Sequence, residues 1–273
     1  MHYNTKELQL QYQGFCESNL LWIKTLNKSL QQIDNHSNYT NLFKLKINTK
    51  LRLGKLVEQF VFNELLFDSS IKIITENLQI QDDKITVGEL DCILTKDEKI
   101  IHLEIVYKFY LYDASTGKSE MERWIGPNRR DSFYEKYEKL VHKQLPLLYH
   151  PKTKEILETY NLPVKNIEQR VYFKAQLFPH ISEIDNKFPL INNKCIEGFY
   201  IYEKELNQFI NCKFYIPSKP NWLVKPHANV EWLPYESYTS CLSEYLEQKN
   251  APLCWLKKPN GVISKFFVVW WQH

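Results

Sequence analysis

The sequence predicts a mixed α/β protein, and three observations predict it. Apolar residues recur at helical spacing in the first quarter of the chain, short apolar runs split by polar turns follow, and helix-like and strand-like stretches then succeed one another to the end. Residues 4–33 read as a helix, with Leu8, Tyr12, Leu20, Ile23, Leu26 and Leu30 on one stripe and Asn4 with Glu7 as a capping box. A polar loop is expected over 35–41. A second helix over 49–67 carries the stripe Leu53, Leu56, Val57, Phe60, Val61 and Leu65, with Glu64 inside that stripe and Glu58 flanking it.

A three-strand meander comes next: 71–80, a turn at 81–83, then 85–94 and 100–110 joined by a polar turn over 95–99. The charged stretch 113–123 contains Gly117 and reads as a mobile surface loop, and 124–128 as a turn. A helix is expected over 131–145, with Phe133, Tyr137, Leu140 and Gln144 on one side. Residues 146–163 read as irregular or partly helical, and 171–178 and 196–202 as strands. The tail holds a helix over 235–248 and a hairpin around Pro259-Asn260-Gly261, with a last strand over 265–271. There is neither an internal repeat nor a low-complexity linker. The economical reading is one domain over 1–273: a helical part over 1–49, a core over 50–205 and a C-terminal α/β extension over 206–273.

Composition narrows the chemistry. Seven glycines in 273 residues leave little for a phosphate-cradling loop, and G-x-G-x-x-G, G-x-x-x-x-G-K-[ST] and G-x-S-x-G are all missing. The six cysteines are scattered, with no C-x-x-C and no zinc spacing. The first residues lack the basic-then-apolar layout of a signal peptide, and no apolar run reaches the roughly 18 residues of a membrane span. The expectation is a reduced, cytoplasmic protein without a membrane partner. A net charge of +3 neither requires nor excludes nucleic acid.

The meander carries the chemistry. If its second turn is centred between Asp97 and Glu98, Asp91 lies directly across from Glu104. Opposed residues on one face have Cβ atoms about 4.5–5.5 Å apart, where like charges destabilise a sheet. Positions 101, 103, 105, 107, 109 and 111 form an apolar face, and the acid face also carries Ile85, Val87, Ile93, Ile100, Val106 and Tyr110. Carboxylates in such surroundings are costly to ionise unless paired or metal-bound. A divalent cation between them is one reading; an ordinary ion pair of Asp91 with Lys108 is the other.

Four runs point further: Leu53-Gly54-Lys55 through Glu58, Val87-Gly88-Glu89-Leu90-Asp91, His102-Leu103-Glu104-Ile105-Val106-Tyr107-Lys108-Phe109-Tyr110-Leu111, and Ile125-Gly126-Pro127-Asn128-Arg129-Arg130-Asp131. Together they resemble the PD-(D/E)XK nuclease superfamily and, more narrowly, the bacterial family called domain of unknown function 1853, most clearly over about residues 50–145. The resemblance implies a restriction-endonuclease-like mixed sheet flanked by helices. It also implies a nuclease, a hydrolase of DNA phosphodiester bonds dependent on Mg²⁺ or Mn²⁺. Asp91, Glu104 and the backbone carbonyl of Ile105 would hold the metal, with Glu58 reaching it from its helix directly or through water. A lysine would orient the attacking water.

The chain departs from the superfamily pattern at the lysine. It normally sits two residues after the acid, where Val106 stands; here Lys108 comes four after, about 6.6 Å along the strand at roughly 3.3 Å per residue. Lys108 is the first candidate for the role, and a lysine of the 131–145 helix is another. Glu89, on the Asp91 face, reads as a second acid near the metal or as a hydrogen-bonded structural group. His102 reads as a satisfied histidine and Glu64 as a core ion-pair residue. Arg129 and Arg130 near a helix start would hold a phosphate, or else form a solvated basic turn, and Lys136 and Gln144 extend the candidate nucleic-acid surface. The tryptophans of the tail read as core and interface residues. Three readings follow: a metal-dependent nuclease, a nucleic-acid-binding relative without turnover, and an interaction protein whose acids form only ion pairs.

Overall fold

The structure is a computed structural model, and it describes residues 5–23, 26, 30–33, 42–47 and 50–271. The elements run in the order α1 (Thr5–Glu17), α2 (Leu53–Leu65), β1 (Ile71–Asp82), β2 (Ile85–Lys96), β3 (Lys99–Tyr112), α3 (Glu120–Arg123), β4 (Trp124–Ile125), α4 (Phe133–Lys139), α5 (Pro151–Thr159), β5 (Ile167–Phe178), β6 (Gly198–Tyr202), β7 (Lys213–Tyr215), α6 (Tyr235–Glu247), β8 (Leu253–Lys257) and β9 (Ile263–Val269). This is the mixed α/β architecture that the sequence predicts. The chain forms two compact units. One is built from Leu20–Tyr107 and Glu135–Lys174, the other from Asn4–Asn19, Lys108–Tyr134 and Ala175–His273.

In the first unit, α2 buries Leu56, Val57, Phe60, Val61, Phe62 and Leu65, the stripe a 3.6-residue period predicts. The meander pairs antiparallel in the order β1-β2-β3, and β5 pairs with β3. The β2–β3 turn is Asp97-Glu98, both with positive φ (47° and 67°), the primed geometry whose twist matches that of the flanking strands. That turn sets the register Lys96↔Lys99 through Cys92↔Leu103. A core of Ile80, Leu90, Ile93, Leu147, Leu148, Leu157, Leu162 and Ile167 closes one side. Gly88 lies against it so tightly that an added Cβ would sit 2.6 Å from Leu147 Cδ2.

The helix expected over 4–33 ends at Glu17. The Ser18 hydroxyl donates to the Gly14 carbonyl at 2.9 Å, and the Ser18 N–H to that of Phe15 at 3.1 Å, closing the last turn. From Leu20 the chain follows β5 instead: Leu21 N–H donates to Phe173, Ile33 N–H to Val171, and Val171 N–H to Gln31. Leu21, Trp22, Leu30 and Ile33 are buried there, beside a strand, whereas Ile23 is exposed. Asn4, Thr49 and the loop expected over 35–41 lie outside the described residues.

The helix expected over 131–145 changes character on the way. α4 passes into a π-helical turn over Leu140–Gln144, where Leu145 N–H reaches back to the Leu140 carbonyl, and then into a 3-10 turn over Leu145–Tyr149. Pro146 explains the change: it has no N–H to give, and its ring crowds the carbonyl four residues back.

In the second unit β6, β9, β8 and β7 form a four-stranded sheet, with β6 and β9 parallel. Tyr238, Leu242 and Leu246 of α6 share a core with Phe199, Phe214 and Phe266. The β8–β9 hairpin turns through Gly261 at φ +86°, as Pro-Asn-Gly predicts. The stretch over 113–123 is not the loose loop expected: Asp113 is buried, and Ser119 and Glu122 form a capping box on α3. Trp255 and Trp271 are buried, in keeping with their reading as core residues.

Glu64 of α2 is buried beside Lys174 of β5 (3.6 Å), and the Tyr172 hydroxyl donates to its other oxygen. Breaking a buried pair strands the remaining charge, at a cost of about 3–5 kcal/mol. Lys174→Met should therefore lower stability by about that amount, read from urea-unfolding midpoints. A loss below about 1 kcal/mol would contradict the pairing.

Candidate functional site

The β2–β3 ladder stops at Cys92↔Leu103, and the next residues in register are Asp91 and Glu104. Beyond this point Ile105 N–H donates to the Asp91 carboxylate, Oδ2, at 2.8 Å. A side-chain oxygen thus satisfies a strand N–H. The same bond fixes the Asp91 carboxylate beside β3.

Glu104 is fully buried. Its Oε1 lies 3.0 Å from His102 Nε2, and its Oε2 accepts from Gln144 Nε2 at 2.5 Å. Gln144 Oε1 in turn accepts from Lys136 Nζ at 2.6 Å. The π-helical turn ends on Gln144. On the far side of His102, Gln169 Nε2 lies 3.0 Å from Nδ1 and donates to the Leu145 carbonyl at 2.6 Å. His102 is the satisfied buried histidine that the sequence suggests, and its partner is the acid itself.

Glu58 is held from its own helix. Lys55 Nζ donates to Glu58 Oε2 at 2.7 Å, to Glu89 Oε1 at 2.7 Å and to Asn77 Oδ1 at 2.8 Å. Asn77 has a positive φ of 51° inside β1, a conformation uncommon for a residue other than glycine.

Burial raises the pKa of Glu58; Lys55 opposes this, while Glu89 and Glu104 reinforce it. Partial burial pulls Lys55 down, but Glu58 and Glu89 outweigh it and hold the ammonium above its ordinary value. Burial, followed by Glu104, pushes Asp91 up to about 7; the Ile105 N–H and Lys136 pull against that, and Glu58 adds to it. Four carboxylates (Glu58, Glu89, Asp91 and Glu104) thus face two ammonium groups (Lys55 and Lys136). With all six ionised, the cluster carries a formal charge of −2.

That deficit and the all-oxygen donors suit a hard divalent cation. Each Glu104 oxygen has two lone pairs and uses one, so the carboxylate can still ligate. Among the described residues no three His, Cys, Asp or Glu side chains converge as a ready-made metal cage. A cation held by two carboxylates would keep its remaining positions for water.

Other expected site residues are engaged elsewhere. Lys108 Nζ lies 2.5 Å from Asp131 Oδ2, so its ion pair is with Asp131. Arg129 pairs with Asp113 at 2.6 Å and lies over the Trp271 ring at 5.1 Å. Arg130 is exposed. Asn128 bonds Asn250 and the Ala251 N–H. The acid face is also less apolar than expected: Ile85 is 71% exposed and Val87 40%. Sequence reasoning missed Lys55, Asn77 and Gln169. Only Lys55 left a signal, its i,i+3 spacing to Glu58.

A carboxylate network around the buried Glu104, opening from an interrupted β-ladder, defines the class of site. The chain belongs to the family described as domain of unknown function (DUF1853), whose model matches residues 6–269. No curated protein and no solved structure matches it. Among the described residues no helix is long and apolar enough to cross a membrane.

The raised pKa of Asp91 has a consequence for stability. The folded state holds the Asp91 proton more tightly than the unfolded state, whose carboxyl titrates near 4. This contribution is complete below about pH 4 and is lost as pH rises through about 7. In EDTA, wild type should lose stability relative to Asp91→Asn between about pH 4 and 7. Denaturation midpoints of both proteins across that range check this, and a constant difference would contradict it.

Proposed function

We propose that the protein is a magnesium-dependent nuclease that hydrolyses DNA phosphodiester bonds, working from a restriction-endonuclease-like core. The observation that carries the reading is the opposed pair of the half-buried Asp91 and the fully buried Glu104, where the β2–β3 ladder opens. The element order α2-β1-β2-β3-α4-α5-β5 of the first unit supports it, as do the motifs of the sequence.

Asp91, Glu104 and the Ile105 carbonyl would hold the cation, with Glu58 completing the set through water. A divalent ion there supplies water activation and neutralises charge on the scissile phosphate. Asp91 stays bonded to the Ile105 N–H, so its ligating oxygen is held in place. Lys136 acts on Asp91 by charge and on Glu104 through Gln144. We give it the role of the superfamily's lysine, that of orienting the attacking water, in preference to the Asp131-paired Lys108.

A second reading, nucleic-acid binding without turnover, is favoured by one observation. Val106, at the usual lysine position, is a buried core residue.

Plasmid cleavage in Mn²⁺ separates the two. Asp91→Ala and Glu104→Ala should each reduce cleavage by at least about 10²-fold, Lys136→Met by about 10²-fold, and Lys108→Met by much less. Salt-sensitive DNA binding without cutting would favour the second reading. Loss on Lys108→Met with Lys136→Met active would return the role to Lys108.

A further inference from the structure

Glu104 has one donor on each carboxylate oxygen, and the two donors differ in kind. Gln144 stands on a π-helical turn and is oriented by Lys136. His102 lies on the same strand as Glu104, two residues before it and on the same face, and is fully buried.

Its protonation state follows from its neighbours. The Leu145 carbonyl can only accept, so the atom of Gln169 lying 2.6 Å from it is the amide nitrogen. The same nitrogen lies 3.0 Å from His102 Nδ1, which must therefore accept. The single ring proton is then on Nε2, 3.0 Å from Glu104 Oε1. His102 therefore faces the cluster through its Nε2–H. It adds a directed donor that fixes one lone pair of Oε1 and leaves the other to ligate. A donor fixing the orientation of a ligating group is how outer partners tune metal sites.

We infer that His102, locked by Gln169 as the neutral Nε2–H tautomer, is a positioning residue that orients Glu104 for cation binding. This rests on the metal reading above. It assigns His102 and Gln169 a purpose that neither burial nor strand pairing requires.

Two measurements on the full chain test it. Long-range ¹H–¹⁵N NMR of the metal-free wild type should show a neutral His102 protonated at Nε2. Mn²⁺ titration calorimetry should show His102→Leu binding about 10–100-fold more weakly than wild type. His102→Gln, which keeps a donor amide, should stay within about threefold of wild type, well inside that loss.

An Nδ1–H tautomer or an imidazolium would overturn the inference. So would wild-type affinity in His102→Leu, or an equal loss in His102→Gln. If His102→Leu does not fold, Gln169→Leu takes its place. It leaves the imidazole present but unlocked, and unchanged Mn²⁺ affinity would be the overturning result. Failure of the wild type to bind Mn²⁺ sinks the metal reading, whereas a wrong tautomer in a Mn²⁺-binding wild type sinks this inference alone.

Discussion

The bond from Ile105 N–H to the Asp91 carboxylate is the constraint on which the rest of the site depends. A strand N–H withheld from its ladder needs a partner, because an unpaired buried donor costs about 1–3 kcal/mol. Asp91 supplies it with a side chain, at the position where the register brings Glu104 opposite. The result is two carboxylates that the sheet itself brings together, in a place where burial opposes the charge of Asp91. The surrounding groups then follow as responses to that charge. Lys136 is relayed through Gln144, Lys55 bridges Glu58 and Glu89, and His102 Nε2 lies 3.0 Å from Glu104.

Two backbone irregularities serve this arrangement. Pro146 disturbs the helix ahead of it, and the π-helical turn that results ends on Gln144, whose amide reaches Glu104. π-helical turns are often found at functional sites. Asn77, with positive φ inside β1, turns its side chain to Lys55. Both fit the observation that uncommon backbone states cluster where a protein works.

The register of the acids was legible because a two-residue turn and a period-2 strand leave one alignment. Glu64 inside an apolar stripe announced a buried ion pair for similar reasons, since a charge cannot stay in a core alone. Residues 18–33 were not legible. Their apolar spacing fits a helix as well as an extended segment, and the edge of β5 that decides between them lies more than 130 residues away. The pairing of Lys108 with Asp131 was hidden in the same way, because strand alternation says which face a lysine leaves from, not which acid it meets. The exposure of Ile85 and Val87 had no local signal, since an apolar residue at a hairpin tip looks like one in a core.

The central claim is that Asp91 and Glu104 share one divalent cation. Anomalous diffraction from crystals of the full chain soaked in Mn²⁺ tests it most directly. A single peak within ligating distance of both carboxylates is the expected result. A peak bound to other residues, or no peak with both carboxylates still holding only their protein partners, would contradict it.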